Sequence, residues 1–89
     1  MRAMDFFASN VLALRLRKRW SQTELAEAAG VSLQTVCRME QMARTPSLDI
    51  AWRITNALGG DLTSMCSEKY PIPDVSSSQI GKRRINYGQ

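Results

Sequence analysis

A chain of 89 residues is long enough for one small domain, and such a core is marginally stable unless a second subunit adds to it. Its net charge of +4, with 12 Lys and Arg against 8 Asp and Glu, favours an anionic partner. No apolar run approaches the roughly 18 residues that span a bilayer, and the first residues lack the apolar segment of a signal peptide. We therefore expect a cytoplasmic protein without a membrane partner.

The chain offers little for catalysis. It has no histidine, which removes the commonest general base and the commonest zinc ligand. Its two cysteines, Cys37 and Cys66, lie far apart and match no metal or redox spacing, so we expect free thiols. We predict no enzymatic activity, no metal site and no cofactor.

The first predicted helix begins at a capping Asp5 and runs to about Arg19, after a frayed start. Its apolar stripe consists of Phe6 or Phe7, Val11 and Leu14. At 100° per residue, Arg15 lies on the buried side of this helix and Arg17 on the outside. The basic end of the helix also suits a membrane-surface helix, but a bundle needs this stripe to close its core.

Residues 21–41 form the pattern of two short helices joined by a tight turn. Ser21 can cap the first of them, and Gly30 stops it where a positive φ costs little. Ser32 can cap the second, helix 3 of the chain, which carries Val36 and Met39 on one side. Two short helices with such a turn predict a helix-turn-helix.

Helix 3 has an inner and an outer side. Glu40 falls on the inner side with Val36, where a carboxylate without a partner is costly to desolvate. Arg15 on helix 1 is the natural cation for it, so we predict a partly buried ion pair between the two. The outer side carries Gln34, Arg38 and Gln41, with Thr35 and Cys37 on its flanks. Glutamine and arginine side chains suit the edges of adenine and guanine.

Two further helices complete the predicted domain, residues 5–66. Ser47, after Pro46, can cap helix 4 over residues 48–58, which ends at Gly59. We place five of its residues toward the core: Leu48, Ala51, Ile54, Thr55 and Leu58. Trp52, at the edge of that stripe, is expected in the core or in a dimer surface. Asp61 can cap helix 5 over residues 62–66, with Leu62 and Met65 closing the bundle.

Residues 67–89 differ in character. Pro71, Pro73 and the serines at 76–78 cannot build a core, so the segment reads as a linker or extended arm. A basic cluster with Ile80, Ile85 and Tyr87 interleaved follows at residues 80–89. Three roles remain open for it: a solubilising disordered tail, an accessory DNA-binding arm, and a strand for dimerisation or partner binding.

The residues from about Leu12 to Cys66 resemble the Cro and cI repressor family of helix-turn-helix proteins, also called the XRE family. The resemblance rests on five features in order: SQxxLA, GVS, a glutamate at the end of helix 3, PS, and AL at the end of helix 4. It implies an all-α, five-helix, lambda-repressor-like domain that binds double-stranded operator DNA as a homodimer.

The resemblance also implies roles for individual residues. Leu33, Gln34 and Arg38 would read bases, with Thr35 and Cys37 close to the backbone or groove wall. Gln22 at the start of helix 2 would hold a phosphate, as would Arg44 in the loop after helix 3. We add to these backbone contacts Ser21, Gln41 and Arg19. An ion pair at the positions of Arg15 and Glu40 is common in such repressors, so the helical spacing and the resemblance both predict it.

Three residues depart from the family pattern. Met42 stands where a glycine usually ends helix 3 in the left-handed conformation, so we expect a longer or differently shaped end. Leu33 replaces a polar residue and leans inward, to contact a thymine methyl or to pack. Gly60 replaces an apolar residue before helix 5, so we expect altered packing there.

The leading interpretation is a sequence-specific transcriptional regulator, and more specifically a dimeric repressor of an inverted-repeat operator. The alternative is the DNA-binding antitoxin of a toxin-antitoxin operon, which would also hold a toxin partner. A third interpretation is an interaction module with no DNA role, which the polar side of helix 3 disfavours.

Overall fold

A computed structural model describes residues 2–73, and this part of the chain is all-α, as predicted. It contains five helices and no strand: α1 (Ala3–Arg17), α2 (Gln22–Ala29), α3 (Leu33–Glu40), α4 (Leu48–Leu58) and α5 (Leu62–Met65). None of these helices combines the length and the apolar character that crossing a membrane requires. The basic cluster at residues 80–89 lies outside the described residues.

The five helices pack around one core. Helix α2 packs against α3 and α4, while α1 contacts α3, α4 and α5. The inner stripes predicted for α2 and α3 are confirmed, because their residues are buried: Leu25, Ala26, Ala29, Val36 and Met39. On α1 the buried phenylalanine is Phe7 rather than Phe6.

Four predicted caps are confirmed at the starts of α2 to α5. Ser21, Ser32, Ser47 and Asp61 each accept a hydrogen bond from the backbone amide three residues later, at 2.9 to 3.1 Å. The cap predicted for α1 is wrong. Asp5 lies inside the first turn, and its carboxylate accepts from the amide of Arg2, the actual N-cap, at 3.1 Å.

The first four helices end in the same way, with a left-handed residue just after the helix. Glycine occupies that position after α2 and α4, but Arg19 (φ +59°) and Met42 (φ +58°) occupy it after α1 and α3. The next amide then bonds back five residues, as from Ala43 to the carbonyl of Arg38 at 2.9 Å. Helix α1 therefore ends before Arg19, and our expectation of a longer or altered end to α3 is wrong.

One residue predicted for the core is exposed. Leu48, the first residue of α4, has 75% of its surface accessible, because it lies at the end of the helix beyond the packed residues. Trp52, one turn later, is 58% exposed and is not part of the core. An apolar groove adjoins Leu48, lined by Met4, Phe7, Ala51 and Leu62 among others.

Helix α5 packs through Met65, which is fully buried. A Cβ atom at Gly60 would lie 2.6 Å from Sδ of Met65 and 3.2 Å from Cδ1 of Leu14. Gly60 therefore leaves the space that the Met65 side chain fills, which is how the packing accommodates the missing apolar residue.

The segment after α5 is held on α1 by Asn10, whose side chain is fully buried. Its Nδ2 donates to the carbonyls of Met65 (2.9 Å) and Glu68 (2.5 Å), and its Oδ1 accepts from the amide of Tyr70 (2.8 Å). Further along, Arg17 donates to the carbonyl of Pro71 at 3.3 Å. Residues 67–71, which we assigned to the tail, thus contact the domain.

Candidate nucleic-acid interface

The outer side of α3 is exposed in the way the helical spacing predicts. Gln34, Arg38 and Gln41 are all exposed, whereas Val36 and Met39 on the other side are buried. Leu33, whose position on the helix leans inward, is nevertheless 45% exposed and belongs to the outer side. A row of long hydrogen-bonding side chains beside one apolar side chain therefore faces outward.

The inner side of α3 is fixed to α1 by the predicted ion pair. Arg15 donates from Nε to Oε2 of Glu40 at 2.8 Å and from its second terminal nitrogen, Nη2, to Oε1 at 3.0 Å. The two side chains are only 9% and 7% exposed. Arg15 also donates from Nη1 to the carbonyl of Trp20 at 2.9 Å, which ties the loop between α1 and α2 to the same point.

Gln22, the predicted phosphate ligand, extends this network. Its Nε2 donates to Oε1 of Glu40 at 3.0 Å, and its Oε1 accepts from the thiol of Cys37 at 3.1 Å. Cys37, half-buried on the flank of α3, is thus directed toward α2. One amide hydrogen of Gln22 is used by Glu40, and the amide group carries a second.

The other residues assigned to the DNA surface differ in exposure. Ser21 is 7% exposed, and it forms a reciprocal cap with Glu24 in which its own amide donates to the carboxylate at 2.8 Å. Thr35 is half-buried and shares a 2.8 Å hydrogen bond with the hydroxyl of Ser32. Arg19 and Arg44 are exposed, at the end of α1 and in the loop after α3 respectively.

Exposed cations lie at the C-terminal end of α1. Lys18 lies over the ring of Trp20, 5.1 Å from its centroid, and Arg17 lies 6.0 Å from the centroid of Tyr70. Arg19 follows them in the turn. Arg15 links this turn to Glu40, so the end of α1 that carries these cations adjoins the end of α3.

Neither cysteine forms a disulfide, and residues 2–73 contain no group of His, Cys, Asp and Glu side chains arranged to hold a metal ion. Burial raises the pKa of the Cys66 thiol above its ordinary value.

Sequence reasoning missed Asn10. A signal for it exists, because Asn10 lies three residues after Phe7 and four before Leu14, in register with the buried side of α1. A polar residue at such a position must find buried partners. It also missed the hydrogen bonds of Gln22, since a helical wheel describes one helix at a time.

Comparison with known families gives a match over residues 11–64, to a family model described as Helix-turn-helix. The matched range includes α2 and α3 with their turn and ends in α5, and it covers more than half of the chain. No curated protein and no solved structure matches the chain. The chain belongs to the XRE-type helix-turn-helix family of DNA-binding transcriptional regulators.

Proposed function

We propose that this protein is a sequence-specific transcriptional repressor that acts in the cytoplasm as a homodimer on an inverted-repeat operator. The observation that carries the proposal is the exposed row on α3, formed by Leu33, Gln34, Arg38 and Gln41, on a helix whose inner side is fixed by the Arg15 to Glu40 pair. Base reading needs such side chains on a rigidly held helix, because each contact depends on hydrogen-bond geometry.

In this proposal α3 lies in the major groove and the surrounding groups bind phosphates. Gln34 and Arg38 would read base edges, while Leu33 would contact a thymine methyl group. Gln22, Arg44 and Arg19 would hold the backbone on either side, because amide and guanidinium groups donate to phosphate oxygens. Repression would follow from occupying a promoter, without any chemical step.

A homodimer would place its two α3 helices in successive major grooves, about 34 Å apart. We place the subunit contact around Leu48 and Trp52, because large exposed apolar side chains mark interaction surfaces. Leu48→Lys and Trp52→Lys should then give folded monomers, whose melting temperature no longer depends on protein concentration. Arg53→Ala, at an exposed position about 100° round the same helix from Trp52, should leave the dimer intact. Analytical sedimentation measures the oligomeric state, and dimers in all three variants would show that the subunit contact lies elsewhere.

Selection of bound duplexes from a random DNA pool tests the proposed function itself. The expected result is an enriched imperfect inverted repeat, with half-site centres about one helical turn apart. Recovery of no common sequence would contradict sequence-specific binding. If the protein instead raises transcription from a promoter that carries the selected sequence, it is an activator and the proposed repressor role is wrong.

The antitoxin role is a second proposal, favoured by the same exposed Leu48 and Trp52 and by the extra segment after α5. It predicts a stable complex with a protein partner encoded in the same operon. Co-expression with the neighbouring gene product, followed by sizing of the purified complex, distinguishes it from the first proposal. A protein that purifies alone in every such test would exclude this role.

A further inference from the structure

The contacts of Gln22 assign a role to Cys37 that differs from base reading. An amide side chain has one accepting end and one donating end, and the two can exchange places unless a partner decides between them. Glu40 sets the orientation of the Gln22 amide, because a carboxylate oxygen only accepts hydrogen bonds. The donating end of Gln22 therefore faces Glu40 (3.0 Å), and its oxygen faces a donor, the thiol of Cys37 (3.1 Å).

The Glu40 side of this arrangement is strongly held. The carboxylate is 7% exposed and receives two hydrogen bonds from Arg15 in addition to the one from Gln22. Its position is therefore set by α1 before any DNA is bound. The Gln22 amide group thus joins a buried ion pair on one side to the flank of α3 on the other.

We propose that Cys37 is a positioning residue for Gln22, holding its amide so that the second hydrogen on Nε2 points outward to a DNA phosphate. Cys37 and Glu40 each occupy one hydrogen-bonding position, one at either end of the amide group, which fixes its plane and therefore the direction of the second N–H. A donor that is already oriented loses less entropy when the phosphate arrives. This inference rests on the proposed DNA-binding function.

Substitutions of Cys37, alone and combined with Gln22→Ala, separate the positioning of Gln22 from base reading and from packing. Cys37→Ala removes the donor and should weaken binding by roughly two- to tenfold, the net effect of about one hydrogen bond. The loss should be equal on the selected duplex and on a scrambled duplex, because a phosphate contact carries no sequence information. Cys37→Ser keeps a donor and should bind within about twofold of the unmodified chain.

The decisive comparison is a double-mutant cycle with Gln22→Ala. If Cys37 acts through Gln22, then Cys37→Ala costs nothing further once Gln22→Ala is present. A loss that persists in the Gln22→Ala background would mean that Cys37 acts by packing and would overturn the proposal. A loss confined to the selected duplex, with changed base preference, would make Cys37 a base reader and would also overturn it.

A reversible modification gives an independent measurement on the folded protein. In a Cys66→Ser background, the Cys37 thiol attacks methyl methanethiosulfonate, methanesulfinate leaves, and the resulting methyl disulfide has no S–H donor. Binding to both duplexes should fall as in Cys37→Ala and return after dithiothreitol, while a chain lacking both cysteines should not respond. If Cys37 reacts fully and binding is unchanged, the proposal is wrong. If the unmodified chain binds neither duplex, it is the proposed function that fails.

Discussion

Arg15 of α1 and Glu40 of α3 form a bidentate ion pair, with nitrogen to oxygen distances of 2.8 and 3.0 Å. The pair fixes the end of the proposed DNA-reading helix to the first helix of the bundle. The Glu40 carboxylate also accepts a hydrogen bond from Gln22 of α2, so this one group connects three helices. The orientation of the exposed side of α3 therefore depends on a buried charge and its partners.

Breaking this pair should be costly. Glu40→Gln removes the charge that compensates Arg15, whose side chain is 9% exposed, and should lower the free energy of unfolding by about 3 kcal/mol. Asp49→Asn is the matched control, since it breaks an ion pair with Arg53 whose side chains are 48% and 70% exposed. That variant should cost less than about 0.5 kcal/mol. Urea denaturation at pH 7 measures both, and equal losses would contradict a structural role for the buried pair.

Removing the Asn10 side chain should release the segment after α5. Asn10→Ala leaves the buried carbonyl of Met65, the partly buried carbonyl of Glu68 and the Tyr70 amide without their partner, at a cost of about 1 to 3 kcal/mol for each group that water cannot reach. Hydrogen exchange at the Tyr70 amide should accelerate with this variant. Ser9→Ala, at the preceding half-buried position, should leave that exchange unchanged. Unaltered exchange in Asn10→Ala would show that other contacts hold the segment.

Met42 adopts a left-handed conformation that costs a residue with a Cβ atom roughly 1 to 2 kcal/mol. Met42→Gly should therefore stabilise the protein by about 0.5 to 1 kcal/mol, after the extra entropy of glycine in the unfolded chain is subtracted. Met42→Ala keeps the strain and should give no such gain. Thermal melts of the three proteins test this, and a less stable Met42→Gly would mean that the methionine side chain makes a compensating contact.

A methyl group at Gly60 should displace the buried Met65. The new Cβ would lie 2.6 Å from its sulfur atom, far inside van der Waals contact. We expect Gly60→Ala to lower stability by about 1 to 3 kcal/mol, as overpacked cores do. A double variant with Met65→Leu, which shortens the obstructing side chain, should recover part of the loss. Full stability in Gly60→Ala would contradict the close packing of α5.

Local patterns predicted most of the helical framework. Serine caps, the stop at Gly30 and the spacing of Val36 and Met39 depend on neighbours within one helical turn, and all three are confirmed. The Arg15 to Glu40 pair was also predictable, because an inward charge needs a partner on the facing helix.

Features that depend on tertiary structure were not predictable in this way. Leu48 falls on the core side of its helix by angle, but it lies at a helix end that no other part of residues 2–73 covers. Met42 takes a left-handed conformation because the chain must turn there, and the residue type alone argues against it. The Asn10 contacts join α1 to residues more than 50 positions away, a distance over which helical periodicity carries no information.

The central claim is that the exposed side of α3 reads DNA bases, and a comparison of Arg38→Ala with Arg44→Ala tests it most directly. Both side chains are exposed cations, one on α3 and one in the loop after it. Arg38→Ala should cost about 1 to 3 kcal/mol on the selected duplex and relax the preference at one base position. Arg44→Ala should weaken binding to selected and scrambled duplexes alike and flatten the salt dependence. Equal losses on both duplexes for Arg38→Ala, with base preference unchanged, would contradict the claim.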